Sequence, residues 1–163
     1  NLEDHRTALQ HTFKEAKQRL VIASPFISAN ALEADRIPER IKEKTDQGLE
    51  VIVMTDEYLD APHGELKRSA REGRKLLQQA GAELQTRKGI HNKTIIIDDN
   101  TIIEGSFNWL SAVRDPDSSY AREEKSIAVR PSLSYTMIED AMQEMDLPPL
   151  QNGEHESSET VWS

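Results

Sequence analysis

The twenty residues Ile90 to Trp109, Ile-His-Asn-Lys-Thr-Ile-Ile-Ile-Asp-Asp-Asn-Thr-Ile-Ile-Glu-Gly-Ser-Phe-Asn-Trp, decide both the fold class and the place to look for chemistry. The β-branched run Thr94 to Ile97 predicts a strand, Asp98 to Asn100 a tight turn, and Thr101 to Ile103 the returning strand of a hairpin. Gly105 is expected where a backbone or a ligand approaches closely. His91 and Lys93 stand two apart at the start of the first strand, so a period of two puts imidazole and ammonium on one face. By the same rule Ser106 and Asn108 share a face.

A cation, an imidazole, a hydroxyl and an amide, with few acids among them, suit a phosphate oxyanion better than a metal ion, which wants several His, Cys or carboxylate ligands. His91 can act there as nucleophile or general acid–base group, while Lys93 and Asn108 stabilise the non-bridging oxygens as charge develops. A His-x-Lys pair taken alone at a strand start is usually solvated surface.

The complete pattern is more specific. His91-x-Lys93, four residues, Asp98, six residues and Gly105-Ser106-x-Asn108 resembles the HKD signature of the phospholipase D superfamily in every fixed position and both spacings. The resemblance implies a phosphodiesterase working without metal or cofactor, with His91 as the nucleophile that becomes phosphohistidine. It implies that Lys93, Ser106 and Asn108 bind the phosphoryl group. Asp98 is then a supporting catalytic residue or, equally, an Asx-turn residue capping the hairpin. In the superfamily an acid just before the last strand hydrogen-bonds the catalytic imidazole. Glu124 aligns best with it and Glu123 is the alternative, a distinction that matters because neighbouring strand residues face opposite ways. Ser24-Pro25 followed by Phe26 is a weaker likeness to the same family.

The family builds one active site from two such motifs, and this sequence holds one. His5, His11, His63 and His155 each lack the lysine two residues on. The second motif is therefore expected from a homodimer partner across a twofold axis, or from another domain of a longer parent chain.

Length and composition fit one α/β domain over residues 1–147, followed by an acidic linker or disordered tail over 148–163. The chain begins with Asn1 rather than Met and is expected to be excised from something longer. It has no cysteine, which fits a reducing, cytoplasmic compartment, and no apolar run of membrane-spanning length. The net charge of −9 argues at first against a nucleic-acid partner, but the charges are segregated. Seven acids and no Lys or Arg follow from Glu139, whereas Lys67, Arg68, Arg71, Arg74, Lys75, Arg87, Lys88 and Lys93 face only Glu65, Glu72 and Glu83. That basic stretch runs into the motif and would attract a polyanion; the alternative is the solvated face of a helix.

Along the chain, apolar periodicity predicts helices over Leu2 to Arg19, Ala31 to Gln47, Glu65 to Ala80 and from an N-cap at Ser132, whose helix turns Tyr135, Ile138, Met142 and Met145 inward. Pro38 marks a start or a break in the second. Strands are expected over Leu20 to Ala23, Leu49 to Thr55, Ala82 to Arg87 and Lys125 to Arg130, besides the hairpin. Asn108 is a candidate cap for a short helix, and Trp109 is expected in the core or as a groove wall rather than as a stacking platform. This alternation predicts a mixed, mostly parallel sheet sandwiched by helices, one half-unit of a phospholipase D-like fold. Three functions follow from the motif and the charge: a nuclease, a phospholipase D-type lipid hydrolase, or a non-catalytic nucleic-acid-binding module of a larger protein.

Overall fold

Helix α1, Leu2–Glu15, opens with a reciprocal capping box between Asn1 and Asp4 and buries Leu9 and Phe13. The computed structural model describes residues 1–56, 58–119, 124–130 and 134–150, without the side chains of residues 134 and 135. The helical periodicity continues to Arg19, yet the helix stops at Glu15. The reason lies far away in sequence: the Asp98 carboxylate accepts the amides of Lys17 at 3.2 Å, Gln18 at 2.8 Å and Arg19 at 3.0 Å. Those amides leave the helical ladder and Arg19 becomes the first residue of β1, Arg19–Ala23.

The single expected helix over Ala31 to Gln47 is two, α2 (Ala29–Ala34) and α3 (Ile37–Asp46). Between them Arg36 is left-handed with φ 54, and Pro38 sits in the first turn of α3 as a helix start. The break buries Asp35, whose carboxylate pairs with Arg6 at 2.7 Å and Arg114 at 2.8 Å. A straight helix would carry that acid past both partners. Then follow β2 (Glu50–Asp56), α4 (Arg68–Gln79), β3 (Glu83–Arg87), β4 (Thr94–Ile97), β5 (Thr101–Gly105), β6 (Ser126–Val129) and α5 (Ser134–Glu144). Ser132, the expected cap of α5, lies outside the described residues, as does the side chain of Tyr135; Ile138, Met142 and Met145 are buried as expected.

The six strands form one sheet in the order β3-β2-β1-β4-β5-β6. Its α/β sandwich is the expected one, but its balance is not. The β1–β2 and β2–β3 pairs are parallel, whereas β1–β4, β4–β5 and β5–β6 are antiparallel, so the sheet is not mostly parallel. The hairpin joins the sheet centre beside β1 rather than its rim, which makes every later pairing antiparallel.

Both faces are covered, which explains the unbroken apolar runs. Leu20, Ile22, Val51, Val53, Ile95 and Ile97 pack with Leu9, Phe13, Leu32, Ile41 and Leu77 from the first four helices. Alternate residues Val21, Ile52, Met54, Ile96 and Ile102 pack with Ile138 and Met142 of α5 and with Met145 just beyond it. Each such side chain contributes about 1.5–3 kcal/mol of burial. Beyond α5 the chain stays tied to the sheet, since the Arg19 guanidinium donates to the Pro148 carbonyl at 2.7 Å. Most of the expected tail, Gln151 to Ser163, lies outside the described residues.

Strand direction gathers the motif ends at one edge of the sheet. The C-terminal ends of β1, β2, β3 and β5 and the N-terminal ends of β4 and β6 all meet there, the end of an α/β sheet at which ligands bind.

Candidate active site

His91 and Lys93 lie at that edge, but β4 begins only at Thr94, so strand alternation does not align them. Their relation comes from a local bond instead: Lys93 Nζ donates to the His91 carbonyl at 3.2 Å. The His91 side chain is exposed, and among the described residues its imidazole has no hydrogen-bond partner.

The approach to His91 is held by a residue that sequence reading missed. Asp56, at the end of β2, is buried; it accepts the amides of Gly89 at 2.7 Å and Ile90 at 3.0 Å on one oxygen. Its other oxygen accepts Tyr58 at 2.7 Å and Leu59 at 2.9 Å. Burial pushes the Asp56 carboxyl up, but the four amides outweigh it and hold the group below the usual carboxylate range. Gly89 has φ 83, so only glycine makes this turn without strain. A detectable signal was present: a lone acid closing the apolar run Val51 to Thr55.

The hairpin register, Thr94 opposite Glu104, sets the residues before β4 beside those after β5. There Ser106 is gripped by the chain entering β6. Its amide donates to the Lys125 carbonyl at 2.9 Å, its Oγ accepts the Lys125 amide at 3.1 Å, and its hydroxyl bonds closely to the Glu124 carboxylate. Glu124 thus engages Ser106 rather than the His91 imidazole, and Glu123 lies outside the described residues.

Gly105 meets the expectation of close approach. A Cβ there would overlap the Lys125 carbonyl and Ser126. Gly105→Ala should therefore force β5 from β6, costing about 2–3 kcal/mol in urea denaturation, the scale of overpacking, and should shift Ser106 with it.

Asn108 does not start a helix. Its carbonyl accepts Ser111 at 3.1 Å and Ala112 at 2.9 Å, a single turn that ends there. Arg114 clamps that turn through the carbonyls of Trp109 and Ala112, with its charge on Asp35. Trp109 is in the core as expected, fully buried with Phe107 edge-on at 5.2 Å. Asn108 Oδ1 is buried without a partner among the described residues, a cost of about 1–3 kcal/mol that the fold tolerates at this position.

Asp98 is not at this edge. It sits at the opposite end of β4 with φ 52, its carboxylate spent on the backbone between α1 and β1. It lies in the hairpin turn, but its carboxylate serves the backbone before β1 rather than capping the hairpin, and the catalytic reading is corrected because no group at the far end of the strand can touch a phosphate beside His91. A cleft lined by Lys17, Gln18, Arg19, Glu50 and Pro148 belongs to that far end too.

The basic stretch divides. Arg74 is buried on Asp60 at 3.1 Å, Arg68 pairs with Glu72 and Arg87 with Asp146. Lys67, Arg71, Lys75, Lys88 and Lys93 have no ion pair among the described residues. Among these residues no three His, Asp or Glu are grouped as a metal ion requires, and no helix is long and apolar enough to cross a membrane.

Known proteins carry the same domain. No curated protein sequence matches the chain. Among solved structures it is similar to NucT from Helicobacter pylori, at 17% identity, a TM-score of 0.63 and 88% of each chain covered. It is also similar to phosphatidylserine synthase from Haemophilus influenzae, at 12% identity and TM-score 0.56, covering 87% of this chain and 35% of that one. A third is TrmBL2, an archaeal chromatin protein described as showing a novel mode of DNA binding, at 15% identity and TM-score 0.52, covering 88% and 48%. At such identities these likenesses show the fold. Residues 9–117, more than half of the sequence, match the family described as "Cardiolipin synthase, PLD-like domain", and with the sheet and motif already in view the chain belongs to the phospholipase D superfamily.

Proposed function

We propose that this domain is a phosphodiesterase that cleaves nucleic acid through a phosphohistidine on His91, with a second copy of the chain completing the site. The observation that carries the reading is the meeting, at one sheet edge, of an imidazole without a hydrogen-bond partner among the described residues and an ammonium with the segment Ser106 to Asn108. One His91 nitrogen forms the P–N bond as the P–O bond to the leaving group breaks. The second copy's imidazolium gives that oxygen its proton, and then takes one from the water that hydrolyses the phosphohistidine. Lys93 and Asn108 hold the non-bridging oxygens, and Ser106 joins them when its hydroxyl turns from the Glu124 carboxylate to the phosphate. One His cannot stand on both sides of an in-line displacement, and an isologous dimer duplicates a single motif in the required sense.

The fold is shared by a chromatin protein and a phosphatidylserine synthase, so the fold alone does not select the substrate. Charge supports nucleic acid. The N-terminus of α4 begins at the site edge, has no acid in its first turn and carries Lys67 and Arg71, cations that the helix dipole disfavours there. A lipid enzyme calls for an apolar face, whereas the large exposed hydrophobics among the described residues are Tyr58, Val113, Ile127 and Met137, on four separate segments.

The purified domain should cleave DNA or RNA in excess EDTA. Adding excess His91→Ala chains should then poison activity in proportion to heterodimer formation, since each mixed pair has one His where two are needed. Absence of cleavage, or its loss to the chelator, overturns the phosphodiesterase reading. Heterodimers as active as wild type, or an active monomer, overturn the shared site and call for a partner domain. Head-group release from phospholipid vesicles with no nucleic-acid cleavage transfers the activity to lipid.

A further inference from the structure

The loop between β2 and α4 is unusually well tied for a surface segment. Besides the two amides on Asp56, the Asp60 carboxylate accepts the Ile27 amide at 3.0 Å and pairs with Arg74, while the Asp60 carbonyl accepts Lys67 at 2.9 Å. A turn closes between the Tyr58 carbonyl and the Ala61 amide at 2.8 Å. On this rigid base Tyr58 stays 54% exposed and stacks on no other ring among the described residues. It is the one aromatic among the large exposed hydrophobics of that set.

Its place is set by the carboxylate that also sets His91. The Tyr58 and Ile90 amides occupy the two oxygens of Asp56, so these backbones lie within roughly 5–7 Å of each other by hydrogen-bond geometry. His91 follows Ile90 directly. Exposed Lys67 and Arg71 follow the loop, and Lys88 flanks Gly89 across the same clamp. A fixed aromatic ring beside a phosphoryl site, bordered by cations, has the makeup of a platform for a base on a phosphate backbone. An acyl chain would find no continuous apolar surface here, because Pro62, His63, Gly64 and Glu65 are exposed around the ring.

We propose that Tyr58 is a base-stacking subsite of the active edge, held in reach of the scissile phosphate by Asp56. This rests on the nucleic-acid reading above and adds what it lacks, a contact to the base. Bases within a duplex are already stacked, so the gain belongs to unpaired strands.

The test is binding to the His91→Ala protein, which cannot cleave. The probes are a short single-stranded DNA of adenines with one 2-aminopurine, and a strand of the same length that is abasic throughout. Tyr58→Ala in that background should weaken binding of the adenine strand about 10-fold, and Tyr58→Trp should keep it, by the usual worth of one stacked base. The abasic strand should bind all three proteins alike. Equal affinity of Tyr58→Ala and its parent for the adenine strand overturns the subsite while leaving the polyanion reading intact. Failure of the parent to bind either strand overturns the nucleic-acid reading itself.

Discussion

His91→Ala should lose phosphodiester cleavage by about 10⁴-fold or more while its melting temperature stays within a degree or two of wild type. The size follows from removing the proposed nucleophile: without a nitrogen to form the P–N bond, only binding and oxyanion stabilisation would remain. The stability half follows from the structure. His91 is exposed and its imidazole has no hydrogen-bond partner among the described residues, so its truncation empties no cavity and orphans no buried group. Lys93→Ala gives a graded comparison, since it removes charge from the phosphoryl oxygens but not the nucleophile. The measurement is initial rate on labelled DNA in EDTA, beside thermal unfolding of the same preparations. A His91→Ala protein that is cleanly folded and still within 10-fold of wild type would remove the phosphohistidine from the mechanism.

The contrast between what the sequence disclosed and what it hid follows contact range. The hairpin, Gly105 as a close approach and buried Trp109 were legible because each depends on neighbours in the chain or on apolar character alone. The order of strands was not, since pairing β4 with β1 is a choice between residues more than 70 apart. Nor could periodicity end α1 at Glu15, because the acceptor of the amides that follow is Asp98. Arg74 was counted with the surface cations, yet its spacing from Ala70 and Leu77 puts it on the inward stripe of α4, and a cation there demands a buried acid. At the site, Glu124 was read from alignment with an imidazole partner, whereas the chain entering β6 delivers it to the Ser106 hydroxyl.

Asp98→Ala should be the most destabilising single change here, by about 3–5 kcal/mol, and it should act without touching the chemistry. Three amides lose a charged acceptor, and hydrogen bonds to a charged group are worth about 1.5–3 kcal/mol each, partly recovered as water reaches the loosened turn. Alanine must also adopt the φ of 52 that Asp98 holds, where an L side chain without local hydrogen bonding costs about 1–2 kcal/mol. For a domain of this size the sum corresponds to a melting temperature lower by roughly 10 °C or more. Asp98→Asn separates the contributions. Oδ1 alone accepts the Gln18 and Arg19 amides at 2.8 and 3.0 Å and shares Lys17 at 3.2 Å, so an asparagine oxygen in that place keeps the geometry and loses only the charge. It should cost about 1–2 kcal/mol and, below its melting temperature, retain wild-type kcat. A catalytic Asp98 would give the opposite pattern, an Asn protein as stable as wild type with its turnover collapsed. Measuring urea denaturation and kcat on the same two proteins decides between an acid that serves the phosphate and one that turns the chain from α1 into the strand that centres the sheet.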